Sequence, residues 1–303
     1  MTTSNAPTER VLEFCAYHLD LGAHRIYVYL DTQNPELYDA VRRHPKTRPI
    51  QADRAYWQRR GSYPPSHRNR QIRNLRNTYV SKRRQVDWLF HLDVDEFLWP
   101  RTTIHDAITA LPRQVTCATV PVIENLVPLD QHAPIDAFRA PLPNGMRGDA
   151  IYGPLGAQII SGFWGHEQGK PLFEHGHPDI KPAIHAVAVD GVSSFDHVCP
   201  DIHLCHIHAR SADEFVAHMA HRHAKGSYRA DLSDRVEIAG QRFNMHRYLA
   251  AMYEAGGQDA WKEAFLTLSL ATPEKCAALK EHGLYFHCPL ELEEKRHRYF
   301  GHG

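Results

Sequence analysis

Val86-Asp87-Trp88-Leu89-Phe90-His91-Leu92-Asp93-Val94-Asp95-Glu96-Phe97-Leu98-Trp99 is the stretch whose reading decides the fold. It opens as a short apolar run without polar alternation, the pattern of a strand buried on both faces. It ends in three carboxylates, Asp93, Asp95 and Glu96. On an extended backbone Asp93 and Asp95 point the same way and Val94 turns into the core. Like charges at the end of a buried strand repel and lose hydration, so a cation must offset them. A hard divalent ion with oxygen ligands does this, especially one that also holds phosphate. The plain alternative is a solvated turn, since Asp is common where strands stop. The apolar lead-in and the flanking Phe97 and Trp99 weigh against it.

Upstream, strand and helix patterns alternate. Thr8 to Leu21 has apolar residues at helical spacing, with Thr8 as the expected N-cap and Gly22 as the stop. Arg25 to Leu30 is aromatic and β-branched, a strand ending at Asp31. Glu36 to Arg43 reads as a helix, Arg48-Pro49-Ile50 as a brief strand, and Asp53 to Pro65 as a polar loop. His67 to Arg84 is a basic helix that includes Lys82, Arg83 and Arg84. This rhythm implies an α/β fold with a mostly parallel sheet flanked by helices, and ligands beyond the carboxyl ends of its strands.

Two segments now carry a resemblance. Trp88 to Phe97, and Leu12 to Ala23 followed by Arg25-Ile26-Tyr27-Val28-Tyr29, resemble the Asp-x-Asp segment and the opening of glycosyltransferase family 2-like proteins with the GT-A fold. The resemblance is carried by residues 8 to 100, thins to about 225 and ends there. Such proteins have a strand before the first helix, where this chain has only Met1 to Asn5. Either that strand is vestigial or the true start lies upstream.

The resemblance implies a sugar transferred from a nucleotide-diphosphate donor to a glycan or other acceptor hydroxyl, by a metal-dependent and inverting reaction. It implies Mn2+ or Mg2+ held by Asp93, Asp95 and His206. Asp31, Arg70, Gln71, Arg73, Asp93 and His185 would bind the donor. Gly165-His166-Glu167-Gln168-Gly169-Lys170 resembles a Gly-His-x-x-Gly-Lys element, with Pro182-Ala183-Ile184-His185 matching the turn that follows it. This assigns His166, Glu167 and Lys170 to catalysis, with Glu167 as the base. The Ser-x-x-Arg usual after the Lys is replaced by Pro171-Leu172-Phe173-Glu174, so that arginine is lost. Glycines let backbone approach a ligand, and Lys supplies a point charge for phosphate.

Three rival readings stand beside this one. A nucleotidyltransferase also uses paired carboxylates, but no Gly-rich loop with Arg and Lys follows the first strand. A catalytically inactive module that binds a glycan or nucleotide sugar would fit the lost arginine. For the histidines, His206 and His208 share one strand face, and a zinc site with His221 and His223 competes with the single ligand His206.

Farther along, Thr103 to Leu111 reads as a helix and Thr116 to Ile123 as a strand. Residues 124 to 156 read as a long loop, with sheet-like material at Ala157 to Ile160. Ser211 to Ala224, Arg242 to Glu254, Asp259 to Leu270 and Pro273 to His282 are helical patterns. The expected organisation is a catalytic domain over residues 1–210 and a mainly α-helical extension over 211–303 packed on it.

Composition sets outer bounds. The 303 residues carry 35 basic and 35 acidic side chains, so no net field draws the chain to nucleic acid or an anionic membrane. No apolar run has the length of a membrane span. Peripheral membrane association stays open. Six scattered cysteines and no signal-peptide pattern point to reduced thiols and a cytoplasmic address.

Overall fold

A computed structural model describes residues 1–81, 86–185, 187–189, 192–225, 234–238 and 240–301, excluding the side chains of residues 188, 192 and 222–225. Lys82, Arg83, Arg84 and the His223 side chain, all named above, lie outside the described residues.

The fold is mixed α/β. The chain gathers into two discontinuous compact units, one of Met1–Val122, Gln168–Leu204 and Leu290–Gly303, the other of Ile123–Glu167 and Cys205–Pro289. Unit 1 opens with β1 (Thr2–Ser4), α1 (Thr8–Asp20), β2 (Ile26–Leu30), α2 (Pro35–Arg42), β3 (Thr47–Gln51) and α3 (Arg54–Gln58). It continues with α4 (His67–Ser81), β4 (Trp88–Phe90), β5 (Glu96–Pro100), α5 (Ile104–Thr109) and β6 (Cys117–Val120). β7 (Val122–Asn125) leads into unit 2, followed by β8 (Ala137–Arg139) and α6 (Asp149–Tyr152). Unit 1 resumes with β9 (Lys170–Glu174), β10 (Ala188–Val189), β11 (Val192–Ser193) and most of β12 (Ile202–His206). Then come α7 (Ala212–Lys225), β13 (Asp234–Ile238), β14 (Gln241–Asn244), α8 (Met245–Ser269), α9 (Pro273–Glu281) and β15 (Tyr285–His287), all of unit 2, before α10 (Leu292–Phe300) in unit 1.

The expected parallel pairing is realised in the order β1-β2-β3, with Thr3 level with Tyr29 and Val28 level with Pro49. The first strand is therefore present. Its three residues are buried, and the chain just ahead of it pairs with the Asp-x-Asp stretch, Leu92 N–H donating to Met1 O at 3.1 Å. β9 then runs antiparallel between β4 and β6. Pro121, which lacks a backbone donor, separates β6 from β7 where one strand was expected.

Several local expectations need correction. Asp53 to Pro65 is not all loop, because Asp53 caps α3 through Tyr56 N–H at 2.9 Å, and Tyr56 and Trp57 are buried. Residues 124–156 are not one long loop, since β8 and α6 lie within them. Ala157 to Ile160 is turn rather than sheet, with a single bridge from Ile159 to Val236. Pro7, not Thr8, stands at the N-cap of α1.

The helical part expected from residue 211 onward shares its core with residues 123–167. Leu126, Leu142, Tyr152 and Trp164 cluster with Phe215, Trp261, Phe265 and Leu268. The last residues pack in unit 1, where Arg298 pairs with Asp20 at 3.0 Å. Among the described residues no helix is long and apolar enough to cross a membrane, and the six cysteines form no disulfide.

On α1, His18 is buried. Its Nδ1–H donates to Phe14 O at 2.9 Å, and its ring stacks parallel to Phe97 at 6.0 Å. Burial pushes its pKa down to about 3. Below the ordinary 6.5 the unfolded chain takes a proton that the folded chain refuses, so stability falls with pH from 6.5 toward about 3. The slope from one such group is ~1.4 kcal/mol per pH unit. Urea unfolding of His18→Leu at pH 6.5 and 5 is expected to show ~2 kcal/mol less acid loss than the parent chain. Equal losses would show that His18 does not stay neutral in the folded chain.

Candidate functional site

In unit 1 the helix α4 holds β1 and the residues that follow β2 and β4. Asp31 follows β2 and is buried. Arg70 clasps it with Nε to Oδ1 at 2.6 Å and Nη2 to Oδ2 at 2.7 Å, and His67 Nδ1 lies 2.9 Å from Oδ2. Burial alone would raise the Asp31 carboxyl, but the His67 and Arg70 hydrogen bonds hold it below its ordinary value. One residue on, Gln71 Nε2 donates to Asp93 Oδ1 at 2.5 Å. One turn further, Asn74 Nδ2 donates to Thr3 Oγ1 of β1 at 3.1 Å. Residues three and four apart share a helix face, which lets one helix reach β1, Asp31 after β2 and Asp93 after β4. Arg73 points elsewhere, to Ser62 Oγ at 3.3 Å, and Arg76 holds Pro182 O at 3.2 Å.

The Asp-x-Asp stretch is not one continuous strand. β4 stops at Phe90, Val94 and Asp95 form a turn, and β5 starts at Glu96. Val94 is half-buried rather than a core residue. Asp93 Oδ2 accepts from Lys170 Nζ at 2.7 Å, and Glu96 Oε2 lies 3.2 Å from the same ammonium. Lys170 is wholly buried, at 0% exposure. The Asp93 backbone N–H donates to Glu96 Oε2 at 2.8 Å, which closes the turn. Burial opposes charge on both partners, yet each is stabilised by the other. Lys170 holds the Asp93 carboxyl well below the usual range, and Asp93 with Glu96 holds the Lys170 ammonium above its own. Part of the cation demanded by the acids thus comes from within the chain. Lys170 is no solvated turn residue, being the first residue of β9.

His91 and His185 border this cluster. Burial, then the Lys170 charge, pushes them down to about 3 and about 4, so both are neutral at pH 7. In the 165–170 motif, Gly169 is required by a neighbouring backbone. A Cβ on Gly169 would lie 1.9 Å from Val120 O, so the β6–β9 pairing itself excludes a side chain there.

In unit 2, Glu124 at the end of β7 is buried and held on both oxygens. Oε1 accepts from Arg139 Nη2 at 2.7 Å and Trp164 N–H at 3.0 Å, and Oε2 from Gly165 N–H at 2.6 Å. His206 and His208 are buried, with ring centroids 5.5 Å apart, and His166 stacks on His206 at 6.2 Å. Glu124, His206 and His208 each offer a ligand atom within 4.8 Å of the others. Glu167 is 44% exposed and lies 3.5 Å from Arg235 Nε. His221 is exposed on α7.

The structure therefore brings Asp31, Arg70, Gln71, Asp93, Lys170 and His185 into unit 1, and His166, Glu167 and His206 into unit 2. Sequence reasoning overlooked Glu96 as the second partner of Lys170, the neutral His91, and Glu124. The signal for Glu124 is present, since Cys117 to Ile123 is a β-rich apolar run ending in an acid, as Trp88 to Leu92 is.

Against known proteins, residues 2–125, less than half of the chain, match the model of glycosyltransferase family 92. That span holds Asp31, α4 and the Asp93–Glu96 turn, and the match supports glycosyl transfer as the general activity. No curated protein and no solved structure matches the chain.

Proposed function

We propose that this protein is a glycosyltransferase of the GT-A, Asp-x-Asp type that uses a nucleotide-diphosphate sugar as donor, and that unit 1 binds the donor. The observation that carries this reading is the clasp made by α4. Arg70 and Gln71, consecutive residues, fix Asp31 and Asp93 at the carboxyl ends of strands, where an open α/β sheet places its ligand.

The residues fit a hard divalent ion. Asp93 and Glu96 share the Lys170 ammonium, two carboxylates to one cation. Asp93 keeps 32% of its side chain open, and each of its oxygens has a second lone pair beyond the bond to Gln71 or Lys170. Asp93 and Asp95 would hold Mn2+ or Mg2+. When bound, the ion supplies Lewis-acid neutralisation of a diphosphate leaving group. Lys170 and Gln71 fix the rotamer of Asp93, so the carboxylate is oriented before donor arrives. Arg70 does the same for Asp31.

The buried state of Lys170 favours a second reading, a module that binds nucleotide sugar without transferring it, because this ammonium is already committed to two carboxylates. Both readings require nucleotide binding. A melting panel with UDP, GDP and dTDP, each with Mn2+, Mg2+ or chelator, is expected to show a rise for one nucleotide with metal. Ligand at 100 times its Kd stabilises by ~2.7 kcal/mol. No rise with any nucleotide would overturn both readings, and binding without sugar-nucleotide turnover would select the module.

A further inference from the structure

We infer that Glu124, His206 and His208 bind one divalent transition-metal ion of the zinc class within unit 2. This inference rests on unit 2 alone, and it moves His206 from the Asp93–Asp95 metal shell that the resemblance implied to a separate ion.

Two imidazoles and one carboxylate are a borderline donor set, which suits zinc or its first-row neighbours better than the all-oxygen preference of magnesium. The three ligand atoms lie within 4.8 Å of one another. Tetrahedral zinc with bonds of ~2.0–2.2 Å sets its ligand atoms ~3.4 Å apart, a closure that small side-chain rotations supply. The carboxylate is already oriented. Arg139 and the Trp164 N–H take Glu124 Oε1, while Oε2 accepts only the Gly165 N–H among its described contacts and keeps a second lone pair. Such outer hydrogen bonds are what align a metal-binding carboxylate. The backbone that carries His208 is held in register with it, because the side chain of Asn125, next to Glu124, accepts the His208 backbone N–H at 2.9 Å and donates to Ala209 O at 2.8 Å.

Space is kept open as well. A Cβ on Gly165 would lie 2.8 Å from Glu124 Oε2, 3.0 Å from His206 Cε1 and 3.1 Å from His206 Nδ1. Any side chain there would enter the gap between carboxylate and imidazole. His221, exposed on α7, is not part of the group.

The test uses the full chain without nucleotide. Protein stripped with chelator and titrated with Zn2+ against a fluorescent competitor is expected to take up about one ion per chain, and its melting temperature to rise with Zn2+. Loaded with Co2+, it should show visible d–d absorption. His206→Ala and His208→Ala should each weaken Zn2+ binding by at least ~10-fold, while His221→Ala leaves it unchanged. Should either alanine variant fail to fold, the parent titration and the Co2+ spectrum still decide. A parent chain that retains less than about one tenth of an ion and shows no Zn2+-dependent melting shift overturns the inference, as does Zn2+ binding that survives both folded alanine variants. Because no nucleotide is present, either result leaves the donor-site test untouched.

Discussion

Lys170→Met is expected to lower stability by about 3–5 kcal/mol, the usual loss when one partner of a buried ion pair is removed. At roughly 2–4 °C per kcal/mol this is a melting shift on the order of 10 °C. The ammonium has no exposed surface, and Glu96, its second partner, is 1% exposed. Removing it leaves the buried Glu96 carboxylate without its cation and beside the ionised Asp93. Lys170→Arg keeps the charge but forces a larger planar group into a filled slot, so it should recover only part of the loss. The double variant Lys170→Met with Glu96→Leu should lose less than Lys170→Met alone, since the buried acid leaves with its partner. Asp93 is held below its ordinary 3.8, so its share of the stability is present above that pH and fades on acidification. Lys170 is held above its ordinary 10.5, so its share is present below that pH and fades at higher alkalinity. Below 10.5 the loss in Lys170→Met should be largest while both carboxylates left behind are ionised, and it should shrink on acidification as one of them takes a proton. A calorimetric loss under 1 kcal/mol would show that the ion pair does not hold the turn.

This pair also marks where sequence reading stops. The run Trp88 to Glu96 reads as acids that need a cation, and the fold sets the Lys170 ammonium against two of them. The cation found in the fold lies 77 residues away in β9, and only the antiparallel seat of β9 between β4 and β6 delivers it. Pairing at that separation leaves no local pattern, so the demand was legible and its internal supplier was not. The opening was more readable, because α1, β2 and α2 declare themselves by periodicity and by local signals such as Gly22. Gly165 and Gly169 were legible as positions needing glycine, but the protein atoms that crowd them were not. What approaches Gly169 is the backbone of Val120, and what approaches Gly165 is Glu124 and His206. The sharing of a core between residues 123–167 and 205–289 was hidden too. Leu126, Tyr152 and Trp164 carry no periodicity that names Phe215 or Phe265 as partners.

Asp95→Asn is expected to reduce sugar transfer by at least ~100-fold, about 2.7 kcal/mol of transition-state stabilisation, while stability moves by less than about 1 kcal/mol. Asp95 sits in the two-residue turn between β4 and β5, half-buried and on neither strand, so its charge can be removed without unpairing β4 or β5. Asp93→Asn makes the informative contrast. That carboxylate holds both Lys170 and Gln71, so its loss leaves the ammonium with Glu96 alone. About 1–3 kcal/mol of stability should go with it, less than a full buried pair because Asp93 is a third exposed and Glu96 remains. Its effect on rate therefore mixes lost metal affinity with lost folding. Kinetics of the two variants at matched folded fraction, with Mn2+ varied, separate the terms. If Asp95 is a metal ligand, excess Mn2+ should partly restore Asp95→Asn, and the variant's nucleotide-induced melting rise should vanish at low Mn2+. Turnover by Asp95→Asn within threefold of the parent chain would remove the Asp-x-Asp pair from the chemistry and leave Asp93 as a structural acid that anchors α4 and β9 to the strand ends.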